Sequence, residues 1–142
     1  MRVKIKKIFP EVKTPKYAKE GDAGMDLTAI TILSNTYEQI TYGTGIAIEI
    51  PRGYVGLVFP RSSVRKTSLS LSNAVGVIDS GYRGEIQATF NKKELDAVGE
   101  PYKVGDRICQ IIIMPYPEVE FSVVQELSGT DRGDGGHGST GN

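Results

Sequence analysis

The chain has 142 residues with 17 basic and 17 acidic side chains, so its formal net charge is zero, and 39% hydrophobic and 24% charged residues are ordinary for one soluble globular domain. Such a length can bury about two-thirds of the unfolded surface. Balanced charge gives no steer toward nucleic acid or a membrane surface, and no run approaches the ~18 apolar residues of a membrane span. Cys109 and His137 are each the single residue of their kind. That argues against a disulfide framework, a zinc site or a Ser–His nucleophile. The start Met1-Arg2-Val3-Lys4 runs straight into an alternating strand with no apolar signal core, so a reducing, cytoplasmic home is expected.

Val3 to Ile8 alternates around lysines and reads as an edge strand blunted by charge. A proline-bearing polar loop follows, then the turn Gly21 to Asp26 and a β-branched strand from Leu27 to Leu33. Asp26 sits beside apolar Leu27 at a strand start. If partly buried, its carboxylate needs donors. Tyr37 to Tyr42 and Gly45 to Ile50 read as two strands joined by a Gly43-Thr44-Gly45 hairpin. Ile46, Ile48 and Ile50 alternate with Ala47 and Glu49, which sets one core face and one wet or subunit-facing side. Pro51-Arg52-Gly53 is a turn, and Tyr54 to Phe59 is apolar enough to be buried on both faces. Pro60-Arg61-Ser62-Ser63 ends that strand. It offers a guanidinium fork, two short hydroxyls and free amides, which is the donor set a phosphate chain wants. Val64 to Ser68 allows one helical turn, and Leu69 and Leu71 alternate with serines.

Asn73 to Glu85 is the stretch around which the chain is organised. Val75, Val77 and Ile78 favour a strand, Asp79-Ser80-Gly81 is turn chemistry, and the strand resumes through Gly84 to Phe90. The expectation is a glycine-tipped β-hairpin carrying a carboxylate, Asp79, and a phenol, Tyr82, where a ligand can approach the backbone closely. Asn91 to Glu100 is a polar loop and Tyr102 to Arg107 a strand and turn. Ile108 to Met114 reads as a central strand interrupted by Gln110, whose amide must find partners or face a pocket. Val119 to Val124 is the expected last strand. From Ser128 no aliphatic residue remains to bury, so residues 1–127 are expected to fold and 128–142 to form a flexible glycine-rich arm. The spacing Gly133 to Gly138-Ser139-Thr140 is close to a P-loop, but the lysine and the following helix are lacking. Arg132, Ser139 and Thr140 can still donate to a phosphate chain. Many short strands with frequent turn signals predict an all-β sandwich or barrel.

Five segments in order resemble the trimeric deoxyuridine triphosphatase (dUTPase) family. They are Ala23-Gly24-Met25-Asp26-Leu27, Pro60-Arg61-Ser62-Ser63, Gly76 to Gly84, Gly105-Asp106-Arg107-Ile108-Cys109-Gln110, and Arg132 to Gly141. The resemblance implies a jelly-roll-like distorted β-barrel and a homotrimer whose active sites are shared between subunits, with the arm of one closing over a neighbour. It implies hydrolysis of dUTP to dUMP and pyrophosphate with Mg²⁺ held mainly by the triphosphate oxygens rather than by protein ligands. Asp79 would activate the water that attacks the α-phosphorus. Arg61, Ser62, Ser63 and Gln110 would bind phosphate, with Asp26 behind them. Tyr82 would pack on the deoxyribose. Asn73, Gly76, Val77, Ile78 and Gln87 would surround the uracil. Arg132, Gly136, Gly138, Ser139 and Thr140 would close from the arm, with His137 over the base where the family usually has phenylalanine. Two other readings stand beside this one: a dCTP deaminase-like relative, and a catalytically weak nucleotide-binding regulatory protein.

Overall fold

A computed structural model describes residues 1–93 and 99–136. The described residues form ten strands: β1 (Lys4–Lys7), β2 (Met25–Thr28), β3 (Thr31–Asn35), β4 (Gln39–Gly43), β5 (Ile46–Glu49), β6 (Tyr54–Pro60), β7 (Leu69–Leu71), β8 (Gly76–Ile78), β9 (Gln87–Lys92) and β10 (Arg107–Pro115), with one 3-10 segment at Ser62–Lys66. All pairings are antiparallel. One sheet has the order β2-β10-β6-β8, the second β3-β4-β9-β7, and β1 with β5 makes a small separate ladder. This is the expected all-β, jelly-roll-like arrangement. The two larger sheets enclose a core in which Tyr42, Phe90, Leu27, Ile86, Ile108 and Ile111 are essentially sealed from water.

Phe90 anchors that core. Its ring meets Tyr42 edge-on at 5.9 Å and Tyr102 at 5.6 Å, contacts that add about 0.5–1.5 kcal/mol each beyond burial. The buried Tyr42 hydroxyl donates to the Tyr102 carbonyl at 2.7 Å. Burial, with smaller contributions from Asp106 and Tyr102, pushes the Tyr42 phenol up to about 12.

Several expected elements fold differently. The run Leu27 to Leu33 is two strands in different sheets. Ala29 N–H donates to the Asp106 carbonyl on the first-sheet side, whereas Ile30 N–H donates to Gly43 of β4, so the chain crosses between sheets within one dipeptide. Gly43-Thr44-Gly45 is a corner rather than a hairpin, because β4 pairs with β3 and β9 while β5 pairs with β1. Gly45 has φ +69°, and a Cβ there would lie 2.6 Å from Val12 Cγ2, so only glycine fits. In β6 only Gly56 and Val58 are buried, so the strand is not covered on both faces. Tyr102 to Arg107 is a turn closed by Asp106 N–H on the Lys103 carbonyl at 3.0 Å, and β10 starts only at Arg107. Val119 to Val124 is not a strand, and Phe121 and Val123 are 90% and 98% exposed. Among the described residues no free edge takes up this segment. The expected single turn after Ser63 and the central strand at Ile108 to Met114 both form.

The central hairpin is also revised. Its first arm, β8, pairs with β6, and its second, β9, pairs with β4 and β7. The two arms belong to different sheets, and residues 79–86 form the corner between them. The alternating apolar pattern is the same in a hairpin and in a sheet crossing, so periodicity does not separate the two.

Candidate active site

The end of β6 and the start of β10 build a polar cleft. Antiparallel register sets Asp26 of β2 opposite Gln110 of β10, and Gln110 opposite Phe59 of β6. Asp26 then accepts two charged hydrogen bonds, from Arg61 Nε to Oδ1 at 2.7 Å and from Arg107 to Oδ2 at 2.9 Å. The Asp26 and Arg61 side chains are each 24% exposed, so the bond between them is of the class that contributes about 1.5–3 kcal/mol. The second Arg61 branch reaches Ser63 Oγ at 3.3 Å, and Gln110 Nε2 donates to the Pro60 carbonyl at 3.3 Å. Gly24 lets the Gln110 carboxamide lie close against the backbone, since a Cβ would meet its oxygen at 2.5 Å and displace it. The cleft of about 620 Å³ is lined by Asp26, Arg61, Ser62 and Gln110, together with Arg107. Arg107 has no site role in the sequence reading, although it stands in the Gly105-Asp106-Arg107 turn. Its part depends on the β2–β10 register, which no local pattern reveals.

Asp79 and Tyr82 lie elsewhere on the chain surface. Tyr82 N–H donates to the Asp79 carbonyl at 3.1 Å, closing a turn that leaves both side chains exposed. The Tyr82 hydroxyl donates to the Glu85 carbonyl at 2.9 Å, and a Cβ on Gly84 would overlap the phenol ring. Glu85 is a further residue missed from sequence. Its Oε1 accepts the Gly45 N–H at 2.7 Å and ties this corner to the neighbouring one. Val77, Ile78, Asp79, Tyr82 and Gln87 line a second cleft of about 210 Å³. This cleft shares no lining residue with the first. One chain therefore gathers the expected phosphate donors in one place and the expected base and sugar contacts in another.

Asn73 is exposed, while Gly76 is buried against β6, where a Cβ would come 3.2 Å from Val58 Cβ. Arg132 is exposed and its Nε donates to the Gly135 carbonyl at 2.9 Å, so the guanidinium folds back onto its own turn; Gly136 follows, also exposed. His137, Gly138, Ser139 and Thr140 lie outside the described residues. Burial, and then Asp26, push the Cys109 thiol up to about 12. A thiol held neutral in this way is no nucleophile at neutral pH.

A divalent cation finds no ready-made cage. Among the described residues no three of His, Cys, Asp and Glu converge, and both Asp26 oxygens are taken by arginines. The donor set suits an anion better than a hard cation. Among the described residues no helix is long and apolar enough to cross a membrane.

Comparison with known proteins matches residues 10–141 to the dUTPase family model. A deoxyuridine 5'-triphosphate nucleotidohydrolase of Corynebacterium glutamicum is 44% identical, the match covering 98% of this chain and 94% of the relative. The enzyme of that name from Escherichia phage T5 is 41% identical, with 98% of each chain covered. The solved Staphylococcus bacteriophage 80alpha dUTPase with dUPNHPP superposes with a TM-score of 0.83 at 28% identity, covering 99% of both chains.

Proposed function

This chain belongs to the dUTPase family, and on that premise we propose that it hydrolyses dUTP to dUMP and pyrophosphate, lowering dUTP and supplying dUMP for thymidylate synthesis. The observation that carries the reading at the site is the corner after β8. It presents one carboxylate and one phenol three residues apart beside an open strand edge.

Asp79 is the residue assigned to accept a proton from the water that attacks the α-phosphorus. A carboxylate is a weak base, so most of the acceleration has to come from charge placed around the phosphate. Arg61, held by Asp26, supplies part of it, with Ser62, Ser63 and Gln110 donating hydrogen bonds to phosphate oxygens. Arg132 and the arm residues Gly136, His137, Gly138, Ser139 and Thr140 supply the rest by closing over the bound nucleotide. Mg²⁺, held mainly by the triphosphate oxygens rather than by protein side chains, would supply further charge neutralisation at the phosphates.

Base choice rests on β8. It is an edge strand, paired on one side with β6 and with Val77 62% exposed. Such an edge carries backbone N–H and C=O groups that uracil can pair with in strand fashion. Cytosine reverses the donor and acceptor at two positions, leaving buried groups unpaired, which supports discrimination of ~10⁴ or more. Tyr82, stacked on the deoxyribose, leaves no room for a 2′-hydroxyl. Asn73 and Gln87 flank the base.

The oligomer belongs to the same proposal. The two clefts are separate in one chain, and beyond β10 Val119, Phe121, Val123, Val124 and Leu127 are exposed large apolar side chains, interspersed with polar residues. Monomers do not usually leave such a stretch uncovered. A homotrimer that sets the Arg61 cleft of one subunit against the Asp79 corner of another, with residues 128–142 crossing over, accounts for both features. A cytoplasmic location fits a nucleotide substrate and a lone buried cysteine.

The test is pyrophosphate release from dUTP, dCTP, dTTP and UTP in parallel, with Asp79→Asn as control. Turnover of dUTP alone is expected, with loss of at least ~10² in the variant and nucleotide binding retained. Ammonia release from dCTP, or dUTP binding without turnover, would contradict the assignment.

A further inference from the structure

Tyr102 lies directly behind the phosphate-binding segment. Its ring is packed edge-on to Phe90 at 5.6 Å and only 9% of the residue is exposed. Its hydroxyl is buried with no hydrogen-bond partner among the described residues. A buried hydroxyl without a partner forfeits about 1–3 kcal/mol, and native cores rarely keep one without a use. Phenylalanine would fill the same core position without that loss. Tyr102 also lines one cleft with Arg61 and Ser63. The hydroxyl of Ser63 and the guanidinium of Arg61 are close enough to act on the phenol. Burial pushes the phenol up, and side-chain hydrogen bonding with Ser63 and then the Arg61 charge pull it back, but the Tyr102–Ser63 contact in the free chain lies outside hydrogen-bond geometry.

Donor and acceptor counting shows what the phenol is for. The Ser63 hydroxyl has one proton to give and two lone pairs to fill. Arg61 supplies one donor at 3.3 Å, a long contact, and no second donor reaches the Ser63 oxygen among the described residues. With one lone pair open, the Ser63 proton can rotate among several acceptors.

We propose that Tyr102 is a positioning residue for substrate phosphate, its phenol donating to Ser63 Oγ so that both lone pairs are filled and the Ser63 proton is aimed at a phosphate oxygen. This rests on the reading of Ser63 as a phosphate ligand. The ligand draws the Arg61–Ser63 segment into place, and the phenol gains in the complex the partner it lacks in the free chain. Tyr102 itself does not touch substrate.

The experiment compares wild type, Tyr102→Phe, Ser63→Ala and the double variant. It measures thermal unfolding, kcat and KM for dUTP, and the affinity for dUPNHPP by calorimetry. For Tyr102→Phe, Tm is expected to stay level or rise, because an unpartnered buried hydroxyl has been removed. KM and the dUPNHPP dissociation constant are expected to rise about 3- to 10-fold, the loss of one hydrogen bond, with kcat within about twofold. The double variant should bind no more weakly than Ser63→Ala alone. A merely structural tyrosine would lower Tm and leave KM in place. Unchanged KM and affinity in Tyr102→Phe, or additive losses in the double variant, would overturn the proposal. Wild type that binds dUPNHPP without turning over dUTP would sink the hydrolase reading instead, and the calorimetric arm would still decide the role of Tyr102.

Discussion

The Arg61 cleft and the Asp79 corner are built on opposite principles. The first is braced by side chains. Asp26 holds two arginines at 2.7 and 2.9 Å, across strands distant in sequence, before any ligand arrives. The second is defined by backbone: a turn closed by Tyr82 N–H on Asp79 C=O, next to a strand edge, with the carboxylate itself exposed. The difference matches the tasks proposed for them. Phosphate binding needs fixed positive charge, which is costly to orient unless it is tied down. Reading a base needs donors and acceptors at set spacing, which a strand edge already has.

The contrast is sharpest in two alanine substitutions. Asp26→Ala leaves Arg61 and Arg107 without their shared acceptor, so urea unfolding should show a loss of about 2–3 kcal/mol together with a raised KM. Asp79→Ala should change stability by no more than about 0.5 kcal/mol, as befits an exposed turn residue, while abolishing turnover. Equal stability losses in the two variants would break the distinction.

A smaller effect concerns alkaline stability. Cys109 lies on β10 opposite Pro60, buried one residue before Gln110 of the braced cleft. Its thiol is pushed from an ordinary 9.0 to about 12, and the Tyr42 phenol from 10.0 to about 12, in each case mainly by burial. Both groups are raised on folding, so the stability they contribute is fully present below the unfolded values and is lost as pH climbs toward the folded ones. The contribution of these two groups to the unfolding free energy should therefore be level up to about pH 9 and fall between about pH 9 and 12, a trend that equilibrium denaturation at stepped alkaline pH will show. Cys109→Ala should remove the earlier part of that fall.

The smallest expected effect lies on the arm. Residue 137 is proposed to stack over the base, a task a larger ring performs better, so His137→Phe should leave KM unchanged or lower it. A several-fold rise in steady-state KM would refute stacking.

The sequence made some of this legible and hid the rest for physical reasons. The Ile108 to Met114 run had to be central, because only a strand flanked on both edges buries so continuous an apolar stretch. Arg61 with its two serines advertised anion chemistry locally. The crossings at Ala29-Ile30, at 43–45 and at 79–86 did not show, because a chain that changes sheets keeps the same alternation as one that stays in a sheet. The partner of each strand is a non-local fact. Arg107 was hidden for the same reason, since it meets Asp26 only through the β2–β10 register. Val119 to Val124 carries a strand pattern that finds no pairing edge among the described residues, and the homotrimer proposed above would supply one.

That last point makes the central claim open to a direct measurement, mixing two inactive variants. Arg61→Ala and Asp79→Asn chains, each without activity alone, would be unfolded together, refolded and assayed for pyrophosphate release from dUTP. If one site takes Arg61 from one subunit and Asp79 from another, some mixed assemblies hold an intact pair, and activity returns. If both residues serve the same chain's site, no mixture contains an intact site, and the refolded sample stays inactive.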